Sequence, residues 1–141
     1  MSIPGHNVAS LLGVGEGLAQ TRLMLMLEQG LPVSALERIS KLLGPKQPDF
    51  KYAIVSKATL ARRIKAKQRL TMEESDRVAR LARVWEFALD VWKNEQDARV
   101  FLFKPHPMLD MKTPVEAALN TSIGAREVEA ILGRLKYGTA I

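Results

Sequence analysis

The residues best equipped for chemistry in this chain are cations, and they are crowded together. Lys57, Arg62, Arg63, Lys65 and Lys67 fall within eleven positions, with the hydroxyl of Thr59 among them. Ammonium and guanidinium groups at such density hold phosphate oxygens, and guanidinium and hydroxyl groups also reach base edges. Catalytic groups are scarce by comparison. There is no Cys, hence no thiolate nucleophile and no Cys-ligated zinc, and His6 and His106 are the only imidazoles. No glycine-rich phosphate loop of the GxxxxGK[ST] type is present, nor a paired His and carboxylate constellation. His106, flanked by Pro105 and Pro107, is the one polar residue in an unusual setting, and a loop histidine without a named partner is weak evidence for catalysis. The chain is expected to need no metal and no cofactor and to be no enzyme.

The basic residues need an element to present them. Ser56 opens a helix running to about Lys67, preceded by a short helix from about Pro48 to Ile54 and a tight turn at Val55-Ser56. This is helix-turn-helix geometry, in which the second helix enters the major groove of DNA. Lys57 and Thr59, near the exposed start, suit base reading, and Arg62, Arg63, Lys65 and Lys67 suit phosphates or guanine edges. Ser56 is better spent as the helix cap than as a reader. The competing interpretation is a basic surface helix in an ordinary bundle. Charge distribution favours the first. The net charge of +6 divides into −1 over residues 1–40, +8 over residues 41–83 and −1 over residues 84–141, so the middle third carries more than the whole excess.

The remaining elements read as helices. Residues 1–15, with Pro4, Gly5, Gly13 and Gly15, look like a loose arm; a helix from about Glu16 to Gln29 stops at Gly30-Leu31-Pro32. Capping boxes start helices at Ser34–Glu37, Thr71–Glu74 and Thr113–Glu116. In the first of these helices Leu36, Ile39, Leu42 and Leu43 form the apolar stripe, and Gly44-Pro45 ends it. Leu60 and Ile64 are expected to face inward from the basic helix. The second box opens the strongest helix, with Val78, Leu81, Ala82, Trp85, Leu89 and Trp92 at three- and four-residue steps. Trp85 and Trp92 are either core or a dimer interface. Residues 95–103 are helical again until Lys104-Pro105-His106-Pro107 breaks them, and a last helix carries Val128, Ile131, Leu132 and Leu135 before closing at Tyr137-Gly138. Gly133 inside that helix predicts close packing. The fold class is all-α, seven or eight short helices. The longest apolar run, Leu23–Leu27, is five residues, far short of a membrane span, and no leader is evident, which points to the cytoplasm.

The stretches Leu36-Glu37-Arg38-Ile39, Thr59-Leu60-Ala61-Arg62-Arg63, Glu74-Ser75-Asp76-Arg77 and Arg80-Leu81-Ala82-Arg83 resemble the helix-turn-helix half of the MbcA/ParS/Xre antitoxins. Thr113-Pro114, then Gly124-Ala125-Arg126-Glu127-Val128-Glu129, Leu132-Gly133-Arg134 and Tyr137-Gly138 are similar in order and spacing to that family's toxin-binding domain. The resemblance covers roughly residues 31–141. It implies an Xre-like helix-turn-helix N-terminal half and a small helical C-terminal toxin-binding domain: an arm and first helix over residues 1–30, the DNA-binding region over 31–94, and the toxin-binding domain with its tail over 95–141.

The implied function is dual. Such a protein represses its own operon, and it neutralises a cognate RES-domain toxin, one that degrades NAD or transfers ADP-ribose from it, by laying its C-terminal tail across the NAD pocket. The toxin-facing residues would be Arg126, Glu127, Arg134, Lys136, Tyr137, Gly138, Thr139, Ala140 and Ile141. Expected partners are the toxin, operator DNA and a second copy, as a homodimer within a hetero-oligomeric complex, with no membrane involved. The loop Lys104–Lys112 departs from the family pattern in being less glycine-rich. The alternative is a stand-alone dimeric helix-turn-helix transcription regulator whose C-terminal helices serve only dimerisation.

Overall fold

In a computed structural model of the chain, residues 8–13 and 20–138 are described. Nine α-helices and one 3-10 turn, with no strand, occupy the described residues. They are α1 (Val8–Leu11), α2 (Gln20–Gln29), α3 (Val33–Leu43), α4 (Lys51–Ile54), α5 (Lys57–Ala66), α6 (Met72–Trp92), α7 (Glu95–Leu102), the 3-10 turn Pro107–Leu109, α8 (Pro114–Asn120) and α9 (Ser122–Tyr137). Two compact units form, one within residues 5–79 and one within residues 80–141, with α6 running through the boundary.

In the first unit the described part of the arm, residues 8–13, is packed against the helices, and the rest of it lies outside the described residues. Val8, Leu11 and Leu12 are buried, and Arg38 Nε donates to the Leu11 carbonyl at 2.9 Å. The start of α3 departs from expectation. Ser34 lies inside the helix, and Pro32 is the N-cap residue with no side-chain hydrogen bond. The reason is tertiary. Leu31 is fully buried, its N–H donates to Ser75 Oγ at 2.8 Å, and its carbonyl accepts from Leu70 N at 2.9 Å. Pinning Leu31 sets where the helix begins and overrides the local cap. Gly30 makes that approach possible: its φ is +98°, and a Cβ there would lie 2.1 Å from the Leu70 carbonyl oxygen. Glu37, released from capping, meets Lys51 at 3.4 Å and ties α3 to α4.

The other two capping boxes form as the sequence indicates. Thr71 Oγ1 accepts from Glu74 N at 3.1 Å while Glu74 Oε1 accepts from Thr71 N at 2.8 Å. Thr113 and Glu116 exchange the same pair of bonds, with Pro114 at the first helical position. Along α6, Val78, Leu81, Ala82, Trp85 and Leu89 are buried, and Trp92 ends the stripe at 36% exposure.

In the second unit α8 and α9 pack tightly through Gly124. A Cβ on that residue would lie 2.0 Å from the Ala117 carbonyl oxygen, so no side chain fits. Arg80 donates to the carbonyls of Ala118 and Leu119, both at 2.8 Å, satisfying the open C-terminal end of α8. Helices α6 and α9 are tied by three rungs running in the same direction. Arg83 bonds Glu129 at 3.1 Å, Phe87 faces Gly133, and Asp90 pairs with Lys136. Every rung joins residues 46 apart, the signature of two parallel helices in fixed register. Gly133 does not mark a close approach, since a Cβ there would meet only Phe87 Cζ at 3.9 Å. Trp85 is core: it is 1% exposed under the Arg99 guanidinium, 5.2 Å from its ring, and its Nε1 has no acceptor among the described residues.

Candidate nucleic-acid interface and C-terminal helix face

Helix α5 is built to be held rigidly and to leave one side bare. Ser56 Oγ accepts from Thr59 N at 3.3 Å at its start, and the Ser56 hydroxyl donates to Thr59 Oγ1 at 2.9 Å. At its end, Lys67 N donates to the Ile64 carbonyl and Gln68 N to the Arg63 carbonyl, a Schellman closure. Lys67 takes the left-handed position of that motif, φ 55°, where glycine is the low-strain choice. Leu60 roots the helix in the core, while Ile64 stands 54% exposed and is not an inward residue.

The five cations and one hydroxyl singled out from the sequence fall into three settings. Lys57, Arg62, Lys65 and Lys67 are exposed. Ala58, Ala61, Arg62 and Lys65, spaced three, four and seven apart, share one exposed face, and the two small alanines on it let the helix lie close to a surface. Thr59 is half-buried and belongs to the cap. Arg63 points the other way. Its Nε and Nη2 donate to the two carboxylate oxygens of Glu74 at 2.9 and 3.1 Å, with side-chain exposures of 15% and 10%. Burial raises the Glu74 pKa, and the hydrogen bonds from Arg63 and from Thr71 N outweigh it, so the carboxyl sits below its ordinary value. Arg63 thus anchors α5 to the start of α6 and is not a free cation.

Two contributors escaped the sequence. Tyr52 of α4 sits beneath Lys57, whose Nζ is 5.7 Å from its ring centroid, and steadies that lysine across the turn. Arg77 donates to the Ile54 carbonyl and meets Glu73 at 3.7 Å, closing the end of α4. An aromatic five residues before a lysine was the available signal for the first; nothing local signals the second.

On the C-terminal helix α9, Arg126 and Glu127 are exposed near the start. At 3.6 residues per turn Arg126 shares a face with Tyr137, and Glu127 shares one with Arg134. Tyr137 is 70% exposed. Arg134 lies 3.6 Å from Met108 Sδ. Lys136 is drawn to Asp90, and each shifts the other: the Lys136 hydrogen bond lowers the Asp90 pKa, and the Asp90 hydrogen bond raises that of Lys136. Gly138 closes the helix in a left-handed turn at φ 63°. Thr139, Ala140 and Ile141 lie outside the described residues.

His106 proves to be a structural residue. Its Nδ1 accepts from Met108 N at 3.1 Å, capping the 3-10 turn, and its ring meets Phe101 edge-on at 6.3 Å. Among the described residues no cluster of His, Asp or Glu is placed to hold a metal ion, and no helix is long and apolar enough to cross a membrane.

A capped basic helix, rooted by one leucine and braced by the helix that follows it, defines a helix-turn-helix protein with a second, helical unit appended. Known proteins place it further. Residues 22–83 match the antitoxin Xre-like helix-turn-helix domain, and residues 87–138 match the antitoxin Xre/MbcA/ParS C-terminal toxin-binding domain. A protein named antitoxin Xre from Photorhabdus laumondii is 31% identical over 115 residues, covering 80% of this chain and 77% of the relative. Proteins of the same name from Yersinia enterocolitica and Pseudomonas putida are 29% and 30% identical, covering 84% and 89% of this chain and 80% and 69% of their own lengths. The chain belongs to the Xre/MbcA/ParS antitoxin family.

Proposed function

We propose that this protein is an antitoxin that neutralises a RES-domain toxin, by occupying the toxin's NAD pocket with its C-terminal residues, and represses its own operon through α5. It acts by binding and not by catalysis, in the cytoplasm, as a homodimer within a toxin–antitoxin assembly. The observation that carries this reading is the order of the two matched domains, DNA-binding then toxin-binding, over almost the whole of residues 22–138. Exposure of Tyr137 and the left-handed turn at Gly138 support the tail as the inserting element, because an aromatic anchor beside a bend can enter a cleft that a globular face cannot. Lys57, Arg62, Lys65 and Lys67 are the cations free to meet DNA phosphates or guanine edges, with Thr59 near the base-reading end. Arg126, Glu127, Arg134 and Lys136 flank the tail on α9. Thr139, Ala140 and Ile141 complete the inserting segment. The stand-alone regulator would leave the match over residues 87–138 without an occupant.

The test is co-expression with the adjacent reading frame, following growth and cellular NAD. That frame alone should arrest growth and deplete NAD or modify protein with ADP-ribose, and the pair should co-purify with both effects suppressed. Deleting residues 137–141 should abolish suppression while the far-ultraviolet circular dichroism is unchanged. A partner that leaves NAD and ADP-ribosylation untouched overturns the RES assignment. Full suppression by the truncated chain overturns the tail mechanism.

A further inference from the structure

The last turn of α9 has little to hold it. Ile131 and Leu132 are the last buried side chains of the helix, and Leu135 and Tyr137 stand 49% and 70% exposed. From Leu132 to Gly138 the chain advances about 9 Å past that anchor, and helix ends of this kind fray. Among the described residues the side-chain ties along this stretch are Arg134 to Met108 Sδ and Lys136 to Asp90 of α6. The second tie continues outward. The Lys136 ammonium also lies 5.4 Å from the ring centroid of Tyr137, so one cation joins a carboxylate to an aromatic face. Asp90 is suited to hold it. Lys93 meets its other carboxylate oxygen at 3.4 Å, and the carboxyl lies below its ordinary value, first through the Lys136 hydrogen bond and then through Lys93. The tether is therefore fully charged at neutral pH.

The geometry points to Asp90 as a positioning residue for the proposed neutralisation: through Lys136 it sets the direction in which Tyr137 and the residues after it leave α9. The inference rests on the tail reading above. An exposed ion pair adds little to the stability of a fold, so the consequence of this one lies in binding. A segment that must be ordered as it enters a cleft loses part of its affinity to that ordering, and holding it beforehand recovers that part. Fixing the ammonium on Asp90 fixes the cation against which the Tyr137 ring rests, and so presents the aromatic in one orientation. Lys93 shares the same carboxylate without joining it to α9. It belongs to the turn that follows α6, at φ 64°. The two lysines therefore separate the charge of Asp90 from its hold on the tail.

Surface plasmon resonance of full-length variants against the purified product of the adjacent reading frame tests this. D90N should raise the dissociation constant about tenfold. D90E, which restores the charge, and K93A, which leaves the Lys136 tether in place, should stay within about threefold of the parent. The melting temperature of D90N should be unchanged, as for any exposed pair. In the free chain D90N should lower the backbone nitrogen order parameter of Tyr137 from the rigid range, about 0.85, to below about 0.6. Combining D90N with deletion of residues 137–141 separates the two readings, because Asp90 then has no tail to place and its tenfold effect should vanish. A truncated chain that binds as tightly as the parent overturns the tail reading and this inference together. A D90N loss that persists at full size in the truncated chain, an equal loss in K93A, or a Tyr137 order parameter indifferent to D90N overturns the role of Asp90 and leaves the tail reading standing.

Discussion

Arg62 and Arg63 carry the same charge on the same helix, but one residue step of 100° sends Arg62 to solvent and Arg63 onto Glu74. Removing both together would confuse two effects. R63A is expected to cost about 2–3 kcal/mol of stability, because it leaves a largely buried carboxylate without its counter-ion, whereas R62A should stay within about 0.5 kcal/mol of the parent. Urea denaturation distinguishes them, and equal losses would refute the division of labour. The same pair makes stability depend on pH. Glu74 is held below its ordinary value in the fold, so its contribution is fully present above the unfolded value of about 4.3 and is lost as pH falls through the lower folded value. The stability gap between the parent and E74Q should be wide at pH 7 and narrow at pH 3. A gap indifferent to pH would mean that the pair contributes through packing alone.

Glycines at the level of elements look alike in sequence and differ in what they permit. Gly124 admits the Ala117 carbonyl where a Cβ would collide, and Gly133 has open space as far as Phe87 Cζ at 3.9 Å. G133A should therefore raise stability by about 0.5–1 kcal/mol through helix propensity and better contact with Phe87, while G124A should strongly destabilise α8 against α9. Thermal melts of the two variants decide this, and a destabilised G133A would show that the α6–α9 register has no slack. The sequence showed the helix class, the Thr71 and Thr113 starts and the Gly44 and Gly138 stops, because those signals lie within a few residues of what they control. It missed the start of α3, where Ser75, 44 residues away, holds Leu31. It also could not tell which arginine of a pair is anchored, since Glu74 selects Arg63 across a loop. Much of the family resemblance proves to be scaffold: Arg38, Glu74, Ser75, Arg77, Arg80 and Arg83 each hold a carbonyl, an N–H group or a counter-ion within their unit. The loop noted for its shortage of glycine has Asp110 and Met111 in consecutive left-handed conformations, φ 55° and 62°, where glycines would sit without strain.

Across the whole molecule, charge is divided as the two functions require. Residues 41–83 carry +8 and residues 84–141 carry −1, so the DNA-facing and toxin-facing roles should separate by substitution. Replacing Lys57, Arg62, Lys65 and Lys67 by Ala should flatten the salt dependence of DNA affinity by about 0.9 per lost phosphate contact and leave neutralisation of the toxin intact. Fluorescence anisotropy across a salt series, beside the growth assay, measures both. Loss of neutralisation in a folded quadruple variant would mean that the roles share residues.

The boundary between the two units falls between Ala79 and Arg80, inside the unbroken helix Met72–Trp92. A protease that needs an extended, exposed segment finds no linker at this junction, so digestion there should not release the two parts intact. The same holds for inheritance. A recombination event that grafts a new toxin-binding part onto an old DNA-binding part must cross within a helix. It preserves the stripe from Val78 to Leu89 only if it adds or removes no residue. Partner specificity in such a chain is therefore expected to drift by point substitution on α9 more readily than by exchange of whole modules.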